Sequence, residues 1–475
     1  MTLPEPHLPE GPDADLPGQV DGKPVDGKAR AGWILFDAAM QPWFTLVTTF
    51  VFGPYVVSAL APSAAEGQAM WGYAAGVAGL AVAFLSPPLG AIADAAGPRK
   101  PWIAGLGIIM AICAIGLWYA EPRVPYGLPL ALVLFAIGTV AAEMAGVFNN
   151  AMMPSLAPAD RLGRLSAHGW ASGYLAAIVT IVIAIGFMVG SPDTGLTLFG
   201  LEPVFGLDPV EREGDRAVGL FTAFWFAFLV LPLFFFTPDK PRVMRLGRAI
   251  ETGMADLVRG FRALRKDKAL FTFLIAHMIY ADGLVALFAF GGIYGTGVFG
   301  WSITEVGLFG ILLTITGFIG ALIGGPLEDR LGAKPVILTA LTVLTLASFL
   351  VVSLSPGSVF FVVPVSAGGE GLFSSLPEQL YLVLGGLMGA AAGPLQASSR
   401  ALLARRAPKD AQARTFGLFA LSGKVTSFVG PWAVATVTAL TLDQRAGVSV
   451  LIAFFVIGAI VLTRVPATAP QPRPS

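Results

Sequence analysis

The sequence predicts an all-α membrane protein with twelve transmembrane helices in two pseudo-symmetric six-helix bundles. Three observations carry that prediction. Of the 475 residues 55% are hydrophobic and 13% charged, with a mean hydropathy of +0.75, more apolar surface than a water-soluble core can bury. The apolar residues fall into segments of about 20, the length that crosses a bilayer as a helix. One loop signature also occurs twice, as Gly90-Ala-Ile-Ala-Asp94-Ala-Ala-Gly97-Pro98-Arg99-Lys100-Pro101 and as Gly325-Pro-Leu-Glu-Asp329-Arg-Leu-Gly332-Ala333-Lys334-Pro335.

Taken in order, residues 1–30 are rich in Pro, Gly and Asp and have no basic run leading into an apolar core. They predict a disordered tail and no signal peptide. Spans follow at 33–58, 70–93, 101–120, 127–150, 166–190 and 218–237, a first bundle over 31–237. Residues 238–268 form a basic linker. Its Ile250, Met254, Leu257, Val258, Phe261 and Leu264 recur at helical spacing, which predicts an amphipathic helix on the membrane surface. Spans at 269–295, 303–327, 335–354, 378–398, 414–440 and 446–464 make the second bundle over 269–464, and 465–475 is a second tail. Prolines and glycines inside spans, such as Pro42, Gly53-Pro54 and Pro394, are tolerated where neighbouring helices satisfy the freed backbone.

Orientation follows from the basic residues. With both termini cytoplasmic, 25 of the 30 Lys and Arg fall on the cytoplasmic side, four (Arg123, Arg212, Arg216, Arg445) on the other, and Lys424 lies within a span. Positive charge is retained inside, as this split requires, and one missed helix would scramble it. The expectation is a multi-pass protein of a bacterial inner membrane. The lone cysteine, Cys113, sits in an apolar stretch and excludes an intrachain disulfide. A formal charge of zero offers no attraction to nucleic acid.

A second repeat joins the halves. Pro158, Asp160 and Arg164 match Pro408, Asp410 and Arg414 at one offset, and Ser172-Gly173 matches Ser422-Gly423. Two parallel six-helix repeats account for both signatures. The Gly-x-x-x-Asp-x-x-Gly-x-Arg-Lys loop is similar to the cytoplasmic signature of the major facilitator superfamily. Finer stretches resemble its vacuolar amino-acid effluxer-like, autophagy-related branch: Trp33-Ile-Leu-Phe-Asp37-Ala-Ala-Met-Gln41-Pro42, Asn150 to Pro158, Gly169-Trp170-Ala-Ser-Gly173-Tyr174, Tyr280-Ala-Asp282-Gly283, Phe290 to Tyr294, and Gly393-Pro-Leu-Gln396-Ala-Ser-Ser-Arg400. The resemblance covers roughly 33–462. Ala38 stands where the branch more often has an aromatic residue, and the second loop has Lys334 alone where the first has Arg99-Lys100.

Ionisable residues inside spans cost about 2.5–3.5 kcal/mol on insertion scales and therefore mark candidate sites. Asp37 and Glu143 fall in the cytoplasmic half, where two carboxylates can share a transferable proton; the alternative is that one is capped locally, by Asn150 or backbone, and fixes packing. Asp282 and Lys424 lie near mid-bilayer and form either a structural pair or a site for which substrate charges compete. Gln41 and Gln396 add neutral hydrogen bonding. His277 is expected to be a packed core residue.

The signature loops are expected to act as a gate. Asp94 would pair with Arg414 and the start of span eleven, and Asp329 with Arg164 and span five, while Gly90, Gly97, Gly325 and Gly332 allow close approach and Arg99, Lys100 and Lys334 supply local charge. Arg99 is the alternative, local partner of Asp94.

No nucleotide-binding phosphate loop, zinc motif, haem signature or nucleophile elbow occurs, so neither an enzyme nor a cofactor or metal is predicted. The expected activity is secondary transport of a small polar solute by alternating access, for which the resemblance implies an amino acid and admits coupling to protons. The chain would work as a monomer in the lipid bilayer, with no nucleic-acid partner. The rivals are a lipid or drug exporter of the same fold and a non-transporting membrane receptor or scaffold.

Overall fold

Asp26 marks the start of the first helix, because its carboxylate accepts a hydrogen bond from the Ala29 N–H at 2.7 Å and so caps it. The computed structural model describes residues 19–20, 23–96, 98–157, 162–239, 267–366, 371–406, 419, 422–423 and 426–466. Helix α1 (Gly27–Leu60) thus begins inside the stretch expected as tail, and a short antiparallel pair, β1 (Gln19–Val20) and β2 (Lys23–Pro24), precedes it. The linker helix expected between the halves and Lys424 lie outside the described residues.

The remaining helices are α2 (Ala64–Ala96), α3 (Lys100–Tyr119), α4 (Gly127–Leu156), α5 (Leu162–Ile183, extended by a wider turn Ala184–Met188), α6 (Glu213–Phe236), α7 (Lys268–Phe299), α8 (Ile303–Leu331), α9 (Ala333–Val352), α10 (Leu376–Arg406), α11 (Val429–Thr441) and α12 (Gln444–Thr463). Eleven helices among the described residues are long and apolar enough to cross a membrane, and α11 is a shorter apolar helix. The long connection after α9 carries a second hairpin, β3 (Ser358–Val359) with β4 (Val363–Pro364). Crossing twelve times, the chain starts α1 and ends α12 on one side, the terminal side; the other is the far side.

Halfway along, α1 widens. Thr48 and Thr49 donate their hydroxyls to the carbonyls of Trp43 and Phe44, five residues back, at 3.0 and 2.9 Å. The turn between Trp43 and Phe50 is a π-helix ending at Val51 (φ −125°, ψ −67°), ahead of Pro54, which cannot donate to the helix ladder. The terminal half of α1 is fixed within the first bundle: Trp33 Nε1 donates to the Asn149 carbonyl at 2.7 Å, Trp225 Nε1 to that of Ala38 at 2.9 Å, and the Thr237 hydroxyl to that of Ala29 at 2.8 Å. In the second bundle α8 and α10 approach closely. A side chain at Gly320 would collide with the Ala390 carbonyl, and one at Gly393 would come 2.5 Å from that of Gly317.

Among the described residues, the bundles meet mainly on the far side. Gly72, Gly76 and Gly79 form a groove on α2 that takes Pro431 and Ala435, the Trp432 ring, and Phe428. Beside it Gln68 Nε2 donates to Thr438 Oγ1 at 2.8 Å, and Gln444 Nε2 donates to the Ala64 carbonyl at 3.1 Å. Gly292 of α7 lies against the Thr49 carbonyl and Pro54 of α1, and Gly310 of α8 against the Phe50 ring. Small residues allow this approach, and each hydrogen bond joins elements of opposite halves.

Candidate functional site

On the terminal side the halves face each other across a sparse set of polar and aromatic groups. Asp37 lies ten residues into α1, about 15 Å along it at 1.5 Å per residue. Its position is set by α5: a side chain at Gly169 would run into Asp37 Oδ2, and one at Gly173 would come 3.2 Å from Gln41 Oε1. Ser172 locks the same seam by donating to the Ile34 carbonyl at 2.9 Å. One helical turn on each helix therefore matches Asp37 and Gln41 to two glycines. Gln41 Nε2 donates to Thr45 Oγ1 at 2.9 Å.

Arg400, on α10 of the opposite bundle, reaches this seam. Its guanidinium carbon stands 5.0 Å from the centre of the Trp170 ring on α5, within cation–π range. Trp170 is 45% exposed and tilts against Tyr174, with ring centres 6.1 Å apart. Arg400 also lies within electrostatic reach of Asp37, Tyr174 and His277. Among the described residues no ion pair joins Asp37 to Arg400, although each lies in the electrostatic field of the other across the two bundles.

The C-terminal wall is a hydrogen-bonded aromatic layer. Tyr280 Oη and Ser399 Oγ are 2.7 Å apart, Ser399 donates to the Leu395 carbonyl, and Ser398 Oγ donates to Glu328 Oε2 at 2.8 Å. His277 packs between the rings of Phe419 at 4.0 Å and Tyr280 at 5.4 Å, with Nδ1 3.4 Å from Ser422 Oγ. These contacts hold the last turns of α10, and with them Arg400, against α7 and α8.

Not every residue expected at the site gathers there. Asp37, Gln41 and the half-buried Gln396 lie on the terminal-side halves of α1 and α10. The charged group that acts on Asp37 is Arg400 of the opposite bundle. The α1–α5 seam holds Asp37 against α5. Asp282, deeper and 3% exposed, accepts from Thr426 Oγ1 at 3.2 Å; its expected partner Lys424 is among the undescribed residues.

The gate residues divide in the same way. Gly97 and Arg414, the surroundings of Gly90 and Gly325, and the side chains of Asp94, Arg164 and Asp329 lie outside what is described, and with them the expected latch. The basic members of the signature make contacts inside their own halves. Asp239, beyond α6, accepts from the backbone N–H of Arg99 at 2.9 Å and of Lys100 at 2.9 Å, and Lys100 Nζ donates to the Phe234 carbonyl at 3.0 Å. In the second half Lys334 Nζ donates to the carbonyls of Thr463 at 2.9 Å and Val465 at 2.6 Å. Both lysines thus cap the carbonyl end of the last helix of their bundle. Gly332 (φ +87°) makes the turn from α8 into α9, a conformation that disfavours a side chain.

Sequence reasoning missed Arg400, Trp170 and Tyr174. The apolar run ends at 398, which placed Arg400 in a loop, whereas α10 continues to Arg406 and its membrane-length segment to Leu403. A polar Ser398-Ser399 pair that bonds Glu328 and Tyr280 was the available signal that the helix goes on.

Comparisons with known proteins agree with this architecture. The family model described as "Vacuole effluxer Atg22 like" matches residues 56–470. An uncharacterized major-facilitator-type transporter of Bacillus subtilis is 25% identical over 443 residues, 92% of this chain and 95% of that protein. Autophagy-related protein 22 of Cryptococcus neoformans is 30% identical over 201 residues, 41% of this chain and 34% of its own. Among solved structures, that of a D-xylose-proton symporter superposes with a TM-score of 0.68 over 94% of this chain and 99% of the other, at 13% identity.

Proposed function

Because this chain belongs to the vacuole effluxer Atg22-like family and is a membrane transporter of the major facilitator fold, we propose that it carries a small zwitterion, an amino acid, through a site between Asp37 and Arg400 by alternating access. One observation supports this reading above the others: Arg400 of the second bundle reaches the Trp170 ring beside the α1–α5 seam that holds Asp37, so charges of opposite sign from the two bundles flank one region. An ammonium group complements Asp37, a carboxylate complements Arg400, and a molecule bearing both ties the halves together. A neutral solute offers no cation to Asp37 within a span, where a carboxylate is costly. Gln41 and Gln396 supply neutral hydrogen bonds on the two walls, and Glu143 and Asp282 are polar steps further along the path.

Asp37 is also the proposed proton carrier. Protonated, it no longer attracts the ammonium group; ionised, it does, so proton and solute bind in competition and a gradient of one drives the other. The protein works as a monomer with its termini in the cytoplasm of a bacterial inner membrane, in line with 25 of 30 basic residues on that side. The test is uptake of a radiolabelled amino-acid mixture by proteoliposomes. Asp37→Asn is expected to abolish gradient-driven transport while the protein remains folded and inserted. Full proton-driven uptake by that variant removes Asp37 from the coupling step.

A further inference from the structure

The far-side connections hold bulky residues in a backbone conformation that suits glycine. Among the described residues, each non-glycine residue with a left-handed backbone lies in such a connection, and two are consecutive, Phe360 (φ +52°) and Phe361 (φ +67°). With Val362 they form the tip of the β3–β4 hairpin, where Val359 pairs with Val363. Hairpin turns with this backbone in water select Asn and Gly, yet both rings at this tip are exposed and Val362 is 80% exposed. Strain and bare apolar surface together call for a compensating environment. We propose that the β3–β4 hairpin is a wedge set into the far leaflet of the bilayer, its tip lying against the outer acyl carbons of phospholipids and anchoring the second bundle there.

The neighbours of the tip set its place. Phe361 meets Phe349 edge to face with ring centres 6.0 Å apart, and Phe349 lies one turn inside the end of α9 at Val352. Phe349 and Leu346 are exposed on the side of α9 opposite its buried Leu344, Ala347 and Val351. A spanning helix that is apolar all round turns such a side to lipid. The hairpin therefore folds back over a lipid-facing surface and continues it. Arg445 marks the level: its Nε and Nη2 donate to the Val352 carbonyl at 2.9 and 2.7 Å, and its guanidinium carbon lies 5.8 Å from the Phe361 ring centre. Near the end of a span a guanidinium keeps to the headgroup level while its apolar neighbours go deeper. The tip is thus bracketed between a charge at the interface and a ring one turn inside the span. The Phe361 N–H donates to the Ser353 carbonyl at 3.0 Å, so the wedge is tied to the end of α9, and Arg445 ties that end to the start of α12.

The test uses the full-length protein with Cys113→Ser, in nanodiscs of phosphatidylethanolamine and phosphatidylglycerol. A nitroxide on Val362→Cys reports collisions with oxygen, which concentrates in lipid, and with a water-soluble nickel chelate, which stays out of it. The references are Phe349→Cys in the span and Asp193→Cys in an exposed polar turn on the same side. The ratio of oxygen to nickel collisions at position 362 is expected to stand several-fold above that at 193 and to approach that at 349. A ratio equal to that at 193 puts the tip in water and overturns the proposal. Shielding from both reagents marks a protein contact and overturns it as well. Phe360→Asn with Phe361→Gly keeps a left-handed turn while removing both rings. It is expected to lower the ratio at 362 several-fold towards that at 193, and an unchanged ratio shows that the aromatic tip does not hold the hairpin in lipid.

Discussion

The two faces on which the bundles meet are built differently. On the far side, three glycines of α2 receive Phe428, Trp432, Ala435 and Pro431, and Gln68 and Gln444 add hydrogen bonds across the same seam. On the terminal side, the described contact between halves is a guanidinium over an indole, with Asp37 nearby but unbonded. Among the described residues the far face is close-packed and neutral, and the terminal face carries charge. Packing lost over several side chains costs more than one cation–π contact, which contributes about 0.5–2 kcal/mol. The described contacts accordingly shut the far side, and the charged site belongs to the opposite face.

The strongest way to break that contrast is to fill the glycine groove. Gly76→Val collides with the Trp432 ring, and overpacking of this kind costs about 1–3 kcal/mol. In a Cys113→Ser background, a cysteine at the buried Ala435 is expected to react with a water-soluble maleimide from the far side roughly ten to a hundred times faster once Gly76 is replaced. Unchanged labelling removes the groove from the seal. Gln68→Leu should act next, since it removes the bond to Thr438; losing such a buried hydrogen bond costs about 1–3 kcal/mol, read as a smaller rise in the same labelling.

Trp170→Leu sharpens the comparison from the opposite face. It should leave Ala435 labelling low and speed the reaction of cysteines placed on the terminal-side half of α5 by only a few-fold, in line with about 1 kcal/mol for a part-exposed stack. The smallest effect is expected for Lys334→Met. Removing a cation from a helix carboxyl end costs about 0.3–1 kcal/mol, a slight fall in melting temperature with no change in labelling on either face. A large gating effect instead would return Lys334 to the gate.

What the sequence reveals of this arrangement follows how far each feature reaches along the chain. Span length is local, and the apolar segments locate the helices to within a few residues at most ends. Asp26 is a cap visible in retrospect, masked by the polar residues before it. The repeated lysines were legible as a duplication but not as caps, because their partners at Phe234, Thr463 and Val465 are more than a hundred residues away. Gly72, Gly76 and Gly79 form a visible small-residue row on one helix face, yet nothing near them announces Trp432. Asp37 was evident as a charge in an apolar run. Arg400 was not, because apolarity stops before the helix does, and a partner set by bundle packing leaves no mark in local composition.

The most direct test of the central claim is a pair of chemical double-mutant cycles on binding of one amino acid to the full-length protein. Asp37→Asn is combined with N-acetylation of the ligand, and Arg400→Gln with its amidation, each change also being measured alone. The site described predicts that within each pair the second change costs little once the first is made, because both remove the same contact. Losses that simply add in both cycles contradict it.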